Sequence, residues 1–118
     1  MDQFLVFFDG SRADDDAIVS ALLNSPFVRA VKDGRIDGDE GLTFGLAIHR
    51  GQGVRSKVDE TGLDEVVAEC DACVVVTVPD LDAALDDINT LIEMQGNLQD
   101  VTGGVLFLSW TGEAHAAG

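Results

Sequence analysis

The sequence predicts an α+β domain, an α/β sandwich with a ferredoxin-like βαββαβ core, an added αβ pair and a mixed, mostly antiparallel sheet. Three observations predict it. First, Phe4 to Phe8, Ala72 to Val78 and Val105 to Trp110 are short apolar runs, the pattern of strands buried on both faces. Second, between the last two runs Leu81, Ala84, Leu85, Ile88, Leu91 and Ile92 recur at helical spacing, with Asp82, Asp86, Asp87, Asn89 and Glu93 opposite. Third, Leu42, Phe44, Leu46 and Ile48 alternate with Thr43, Gly45, Ala47 and His49, the mark of a half-buried strand.

Taken in order, Phe4 to Phe8 is the first strand and Asp9-Gly10 turns the chain. Ser11, with Asp14 three residues on, suits a helix N-cap. That helix runs to about Leu23 with Ala17, Ile18, Ala21 and Leu22 inward, Asp14 to Asp16 complement its dipole, and Asn24-Ser25-Pro26 stops it. Phe27 to Lys32 is the second strand, and Asp33-Gly34 a tight-turn signal. Residues 35–41 are polar and Gly-rich and read as a loop before the strand Leu42 to His49, taken as antiparallel to the second. Arg50 to Glu60 reads as a polar loop. Thr61 with Asp64 opens a short helix through Leu63, Val66, Val67 and Cys70. Then come the strand from Ala72, a stop at Pro79, a cap at Asp80, a helix ending at Gly96, and a last strand released by Gly103-Gly104. The crossover between these two strands should be right-handed. One domain over residues 1–110 and a flexible tail over 111–118 result.

Three helices, one of them short, are a thin supply of cover for both faces of a five-stranded sheet whose central strands are apolar on both sides. Either the added helix crosses to the second face or another subunit covers it. The second option predicts a homo-oligomer.

Charge is the loudest compositional signal. Twenty-two acidic residues, sixteen of them Asp, face seven basic ones, only two of which are Lys, for a net charge of −15. Such a chain repels nucleic-acid phosphate. With 46% apolar residues and clear periodicity it is not disordered. Abundant Asp with scarce Lys matches the protein surfaces of salt-loving organisms and their viruses, where a Debye length of about 3 Å at 1 M salt mutes repulsion. The opening MDQFLVFFDG lacks the basic region of a signal peptide, and no apolar run approaches the roughly 20 residues of a membrane helix.

Phe4 to Ser11 (FLVFFDGS), a strand ending in Asp-Gly-Ser before a helix, resembles the opening of universal stress proteins. The resemblance implies that Asp9, with Gly10 and Ser11, helps to hold an adenine nucleotide. It covers that opening alone. Neither Gly51-Gln52-Gly53 nor Gly103-Gly104 supplies the family's later glycine-rich phosphate signature.

Other candidates come from residue type and spacing. Cys70 and Cys73 form C-x-x-C, a weak candidate for a redox pair or half a zinc site. The motif ends a helix rather than opening one, and only His49 and His115 remain as imidazole ligands. The pair more simply suits a buried core, as small hydrophobes. Asp33, Asp37, Asp39 and Glu40 lack the spacing of a calcium loop. Arg50, Arg55 and Lys57, close together on so acidic a chain, suit an anion or an acidic neighbouring subunit. Trp110 at a strand end suits an interface or a core.

These observations favour a non-enzymatic structural subunit that oligomerises with itself and contacts other protein subunits through Arg50, Arg55, Lys57 and Trp110. No catalytic residue, cofactor, nucleic acid or membrane is expected. The composition places it in the virion or cytoplasm of a high-salt organism, for instance as a small ring-forming component at a virus head–tail joint. The rival is a regulatory domain binding a small molecule or nucleotide at Asp9, Gly10 and Ser11.

Overall fold

The structure, a computed structural model, describes residues 2–62 and 70–116. Among these, seven strands form one sheet: β1 (Asp2–Phe8), β2 (Val28–Lys32), β3 (Arg35–Gly38), β4 (Thr43–Arg50), β5 (Ala72–Val78), β6 (Val105–Leu108) and β7 (Glu113–Ala116). Their spatial order is β2-β3-β4-β5-β1-β6-β7, and every neighbouring pair is antiparallel. The helices are α1 (Asp15–Leu23), α2 (Gln52–Thr61), α3 (Leu81–Asp86) and α4 (Ile88–Thr102).

Strand periodicity sorts the core into two layers. On one face Phe4, Val6 and Phe8 of β1 lie with Val74, Val76 and Val78 of β5, under Ile18 and Leu22 of α1 and Leu91, Met94 and Leu98 of α4, all buried. On the other, Leu5 and Phe7 alternate out beside Cys73, Val75 and Phe107, and Val54 and Val58 of α2 close over them. Register fixes this sorting: Phe4 stands opposite Val76 and Leu108, and Leu5 opposite Val75 and Phe107. The strands read as apolar on both sides are therefore buried on both sides, and part of the second face is covered from within the chain.

That cover comes from a segment the sequence presents as a loop. Arg50 to Glu60 contributes α2 because Val54 and Val58, one helical turn apart, are both buried. Gly62 ends it in the left-handed conformation (φ 71°), its N–H bonded to the Val58 carbonyl. Thr61 closes this helix rather than opening the next, its hydroxyl donating to Val58 O at 2.9 Å. Leu63, Val66 and Val67 lie outside the described residues, and Cys70 precedes β5 without helical structure.

Other corrections have equally local causes. Residues 35–41 are not all loop. Asp33 (φ 54°) and Gly34 (φ 74°) make a two-residue hairpin turn that sends Arg35–Gly38 back along β2, with Ile36 its buried anchor. The strand from Thr43 therefore pairs with β3 and β5, not with β2. The sheet is not mixed, and the second neighbour of β1 is β6, where the six-element ferredoxin-like reading needed β4. Asp14, not Ser11, caps α1, accepting from Ala17 N–H at 2.8 Å. Asp80 caps α3 as expected, accepting from Ala83 N–H at 3.1 Å. Gly96 lies inside α4, which ends at Gly103 (φ 64°). Glu113–Ala116, assigned to the tail, pairs with β6 as the edge strand β7.

Candidate functional site

The best-built polar cluster joins the turn after β1 to the ends of β4 and β5. Arg50 is opposite Ala72, and Ala72 is opposite Phe8, so the order β4-β5-β1 brings Arg50 beside the Asp9-Gly10-Ser11 turn. The guanidinium then occupies four acceptor contacts. Nη1 donates to Gly10 O at 3.1 Å, Nη2 to Ala13 O at 2.9 Å, and Nη2 and Nε both to Asp15 Oδ1, at 2.9 and 3.2 Å. Its central carbon is 5.8 Å from the Phe8 ring centroid, within cation–π range. From the start of β5, Asp71 Oδ1 accepts the Gly10 N–H at 2.6 Å.

A side chain at Gly10 would displace the ends of both clamping residues. A Cβ would stand 2.9 Å from Arg50 Nη1 and 3.0 Å from Asp71 Oδ1. Asp9 Oδ1 accepts from the Ser11 N–H at 3.0 Å and the Ser11 hydroxyl at 2.8 Å, an Asx-type turn. These bonds, the backbone one first, hold the Asp9 carboxyl below its usual range. Asp-Gly-Ser thus serves a turn clamped by Arg50 and Asp71, and Arg50 directs its donors into its own chain.

The four residues proposed for an interface do not form one patch. Arg50 binds the β1–α1 turn, and half-buried Trp110 packs on the core beneath α1 and α4. Exposed Arg55 and half-buried Lys57 sit on α2, across the sheet. Cys70 is half-buried and Cys73 fully buried in the α2 layer, and the two are not joined by a disulfide. Desolvation pushes the Cys73 thiol up to about 12, so it stays protonated and inert at neutral pH. Among the described residues no three His, Cys, Asp or Glu side chains are grouped to hold a metal ion. Two acids of the 33–40 stretch bind locally: Asp39 accepts from Arg29 at 2.7 Å and Asp37 from Arg35 at 2.6 Å.

Two features lay beyond the sequence reading. An open groove of about 470 Å³ runs between α1 and α4, lined by Ala17, Ser20, Ala21 and Asn24 opposite Asn97, Asp100 and Val101. The second is an apolar strip, Leu85, Ile88 and Ile92, that stays 41–54% exposed. A sequence signal existed for it. Ala84-Leu85 and Leu91-Ile92 are adjacent pairs about 100° apart on a helix, so both members cannot face the core equally. Ala84 and Leu91 are buried, and their neighbours are not.

No family model, curated protein or solved structure matches the chain.

Proposed function

We propose that the chain is a non-enzymatic assembly subunit that associates with copies of itself through its sheet, in a high-salt setting such as the virion or cytoplasm of a halophile. The observation that carries this reading is the incomplete cover that the described residues give the α2 side. The α2 layer buries Leu5, Phe7, Cys73 and Val75, but farther along the sheet Ala30, Thr43 and Ala47 are exposed. In the next row Lys32, Arg35, Gly45, Thr77 and Gln3 run straight across from β2 to β1. This surface offers the small residues Ala30, Thr43, Gly45 and Ala47 beside Gln3, Lys32 and Arg35. It carries exposed Lys32 and Arg35 on a body of charge −15, and it ends at β2, a sheet edge whose outer backbone groups can template pairing.

The opposite edge, β7, differs from β2, so β2 of one copy against β7 of the next is a head-to-tail contact, the kind that can close a ring, whereas β2 against β2 gives a two-fold dimer. Within the sheet, the order β4-β5-β1-β6, joined through α1, α2 and the α3–α4 pair, supports a ferredoxin-like core with β2–β3 as an inserted hairpin.

The test is light-scattering mass in about 2 M KCl, where charge repulsion is screened, and again at low salt. A defined multimer at high salt is expected, and Thr43→Arg with Ala47→Arg returns it to monomer. A wild-type monomer at high salt and high concentration overturns the proposal.

A further inference from the structure

We propose that the outer face of α3 and α4 is a docking site for a cationic amphipathic helix of another protein, separate from the sheet contact between copies. Leu85 stands near the end of α3 and, across the break at Asp87, Ile88, Ile92 and Gly96 follow every four residues along one side of α4. The first three are 41%, 42% and 54% exposed, and with Leu23 they are the large apolar side chains left in water among the described residues. The core takes the other side of the same helix: Leu91, Met94 and Leu98 are fully buried.

Gly96 is the second observation. It sits in the middle of a fifteen-residue helix and is exposed. A Cβ placed there would meet nothing within 4 Å, so no contact among the described residues requires a glycine. Its presence costs about 1 kcal/mol of helix stability relative to Ala. A glycine one turn beyond two exposed isoleucines has a physical use when another helix crosses there, since the missing side chain lets the two backbones approach closely.

Charge selects the partner. Residues 81–102 contain five acidic side chains and no Lys, Arg or His. Exposed Asp82, Asp86 and Glu93 flank the apolar line. A second copy laid on this face would set acid against acid. A helix with Leu or Ile on one side and Lys or Arg beside them fills the line with apolar contact and pairs its cations with the rim.

The test uses the full chain at the lowest salt at which circular dichroism shows it folded, with two helical probe peptides. One has Leu on one face and Lys on the other, and the second has Glu in place of each Lys. Fluorescence anisotropy is expected to show saturable binding of the Lys peptide alone. Ile88→Gln with Ile92→Gln weakens it at least tenfold. Gly96→Ala raises the melting temperature yet weakens binding, a split that a purely structural glycine would not produce. Amide shifts on binding fall on residues 81–102. Thr43→Arg with Ala47→Arg, aimed at the sheet contact, leaves peptide affinity unchanged. Absence of Lys-peptide binding, equal binding of the Glu peptide, or full affinity in the Ile88→Gln and Ile92→Gln variant overturns the proposal. So does a self-assembled chain that this variant turns into monomer, because the occupant is then a second copy.

Discussion

Arg50 binds Asp15 through two different nitrogens to one carboxylate oxygen, Nη2 at 2.9 Å and Nε at 3.2 Å, while Nη2 also reaches the Ala13 carbonyl. The two partners differ in value. Asp15 is 66% exposed, so water screens the ion pair and it contributes at most about 1 kcal/mol. The carbonyls of Gly10 and Ala13 lie in a turn that no strand or helix ladder ties down.

Arg50→Ala is therefore expected to destabilise the fold by about 1–3 kcal/mol, through carbonyls that lose a charged donor. Asp15→Asn should cost well under 1 kcal/mol. Arg50→Lys should resemble Ala more than Arg, because a single ammonium cannot reproduce the planar fork. Urea unfolding midpoints measure all three. Equal losses for Arg50→Ala and Asp15→Asn would mean that the ion pair, not the turn, is what Arg50 supports.

Gly104 separates close packing from turn chemistry. A Cβ there would lie 2.5 Å from Phe7 O and 2.8 Å from Val6 Cγ1, with β1 backbone in the way. Gly104→Ala must push β6 off β1 and should cost about 1–3 kcal/mol or more. Gly96→Ala, in open space, should instead stabilise by about 0.5–1 kcal/mol. Thermal denaturation of the two variants is expected to move in opposite directions.

How much of this was legible depends on the distance over which each feature is determined. The doubly apolar strands over Phe4–Phe8 and Ala72–Val78, the Asp33-Gly34 turn and the Asp80 cap rest on neighbouring residues and stand where local pattern places them, whereas the strand expected from Val105 to Trp110 ends at Leu108, with Ser109 and Trp110 in a turn. The strand β3 was hidden because one large apolar side chain, Ile36, anchors it among Arg35, Asp37 and Gly38. The helix α2 was hidden because its inward face is two valines in an otherwise polar segment, too narrow a stripe to register as periodicity. The Arg50 clamp could not be read at all. Its partners Gly10, Ala13 and Asp15 lie 35 to 40 residues upstream and meet it only through the strand order β4-β5-β1.

If two valines hold α2 in place, removing one should unseat it. Val58 is 1% exposed against Leu5, Phe7 and Cys73 in the second layer. Val58→Ala should cost about 1–3 kcal/mol by lost burial, and Val58→Asp should release the helix. The released layer would leave Phe7 and Val75 open to water. Amide exchange over residues 52–61 should accelerate in Val58→Asp while β1 and β5 stay protected, because the α1–α4 side of the core is untouched. Uniform acceleration across the sheet would show that the two layers unfold as one.

Cys73 supplies the pH dependence. In the folded chain burial holds its thiol up to about 12, whereas an unfolded cysteine titrates near 8.5. Between those values the unfolded state has lost the proton and the native state has kept it, so stability falls as pH rises through that window. Below about pH 8 both states hold the proton and the contribution is constant. The chain has no Tyr and two Lys, so few other groups ionise there. Unfolding free energies of wild type and Cys73→Ala at pH 8, 9.5 and 11 should start offset, with the variant less stable by about 1 kcal/mol from lost burial. They should then converge and cross by about pH 9.5, as the wild type alone gives up the thiol's contribution, so that at pH 11 the wild type is the less stable. In the native protein at pH 8, a thiol reagent should modify half-buried Cys70 first and reach Cys73 only when urea opens the fold. Parallel pH profiles for the two proteins, or Cys73 reacting as fast as Cys70, would show that the thiol ionises in place beneath α2.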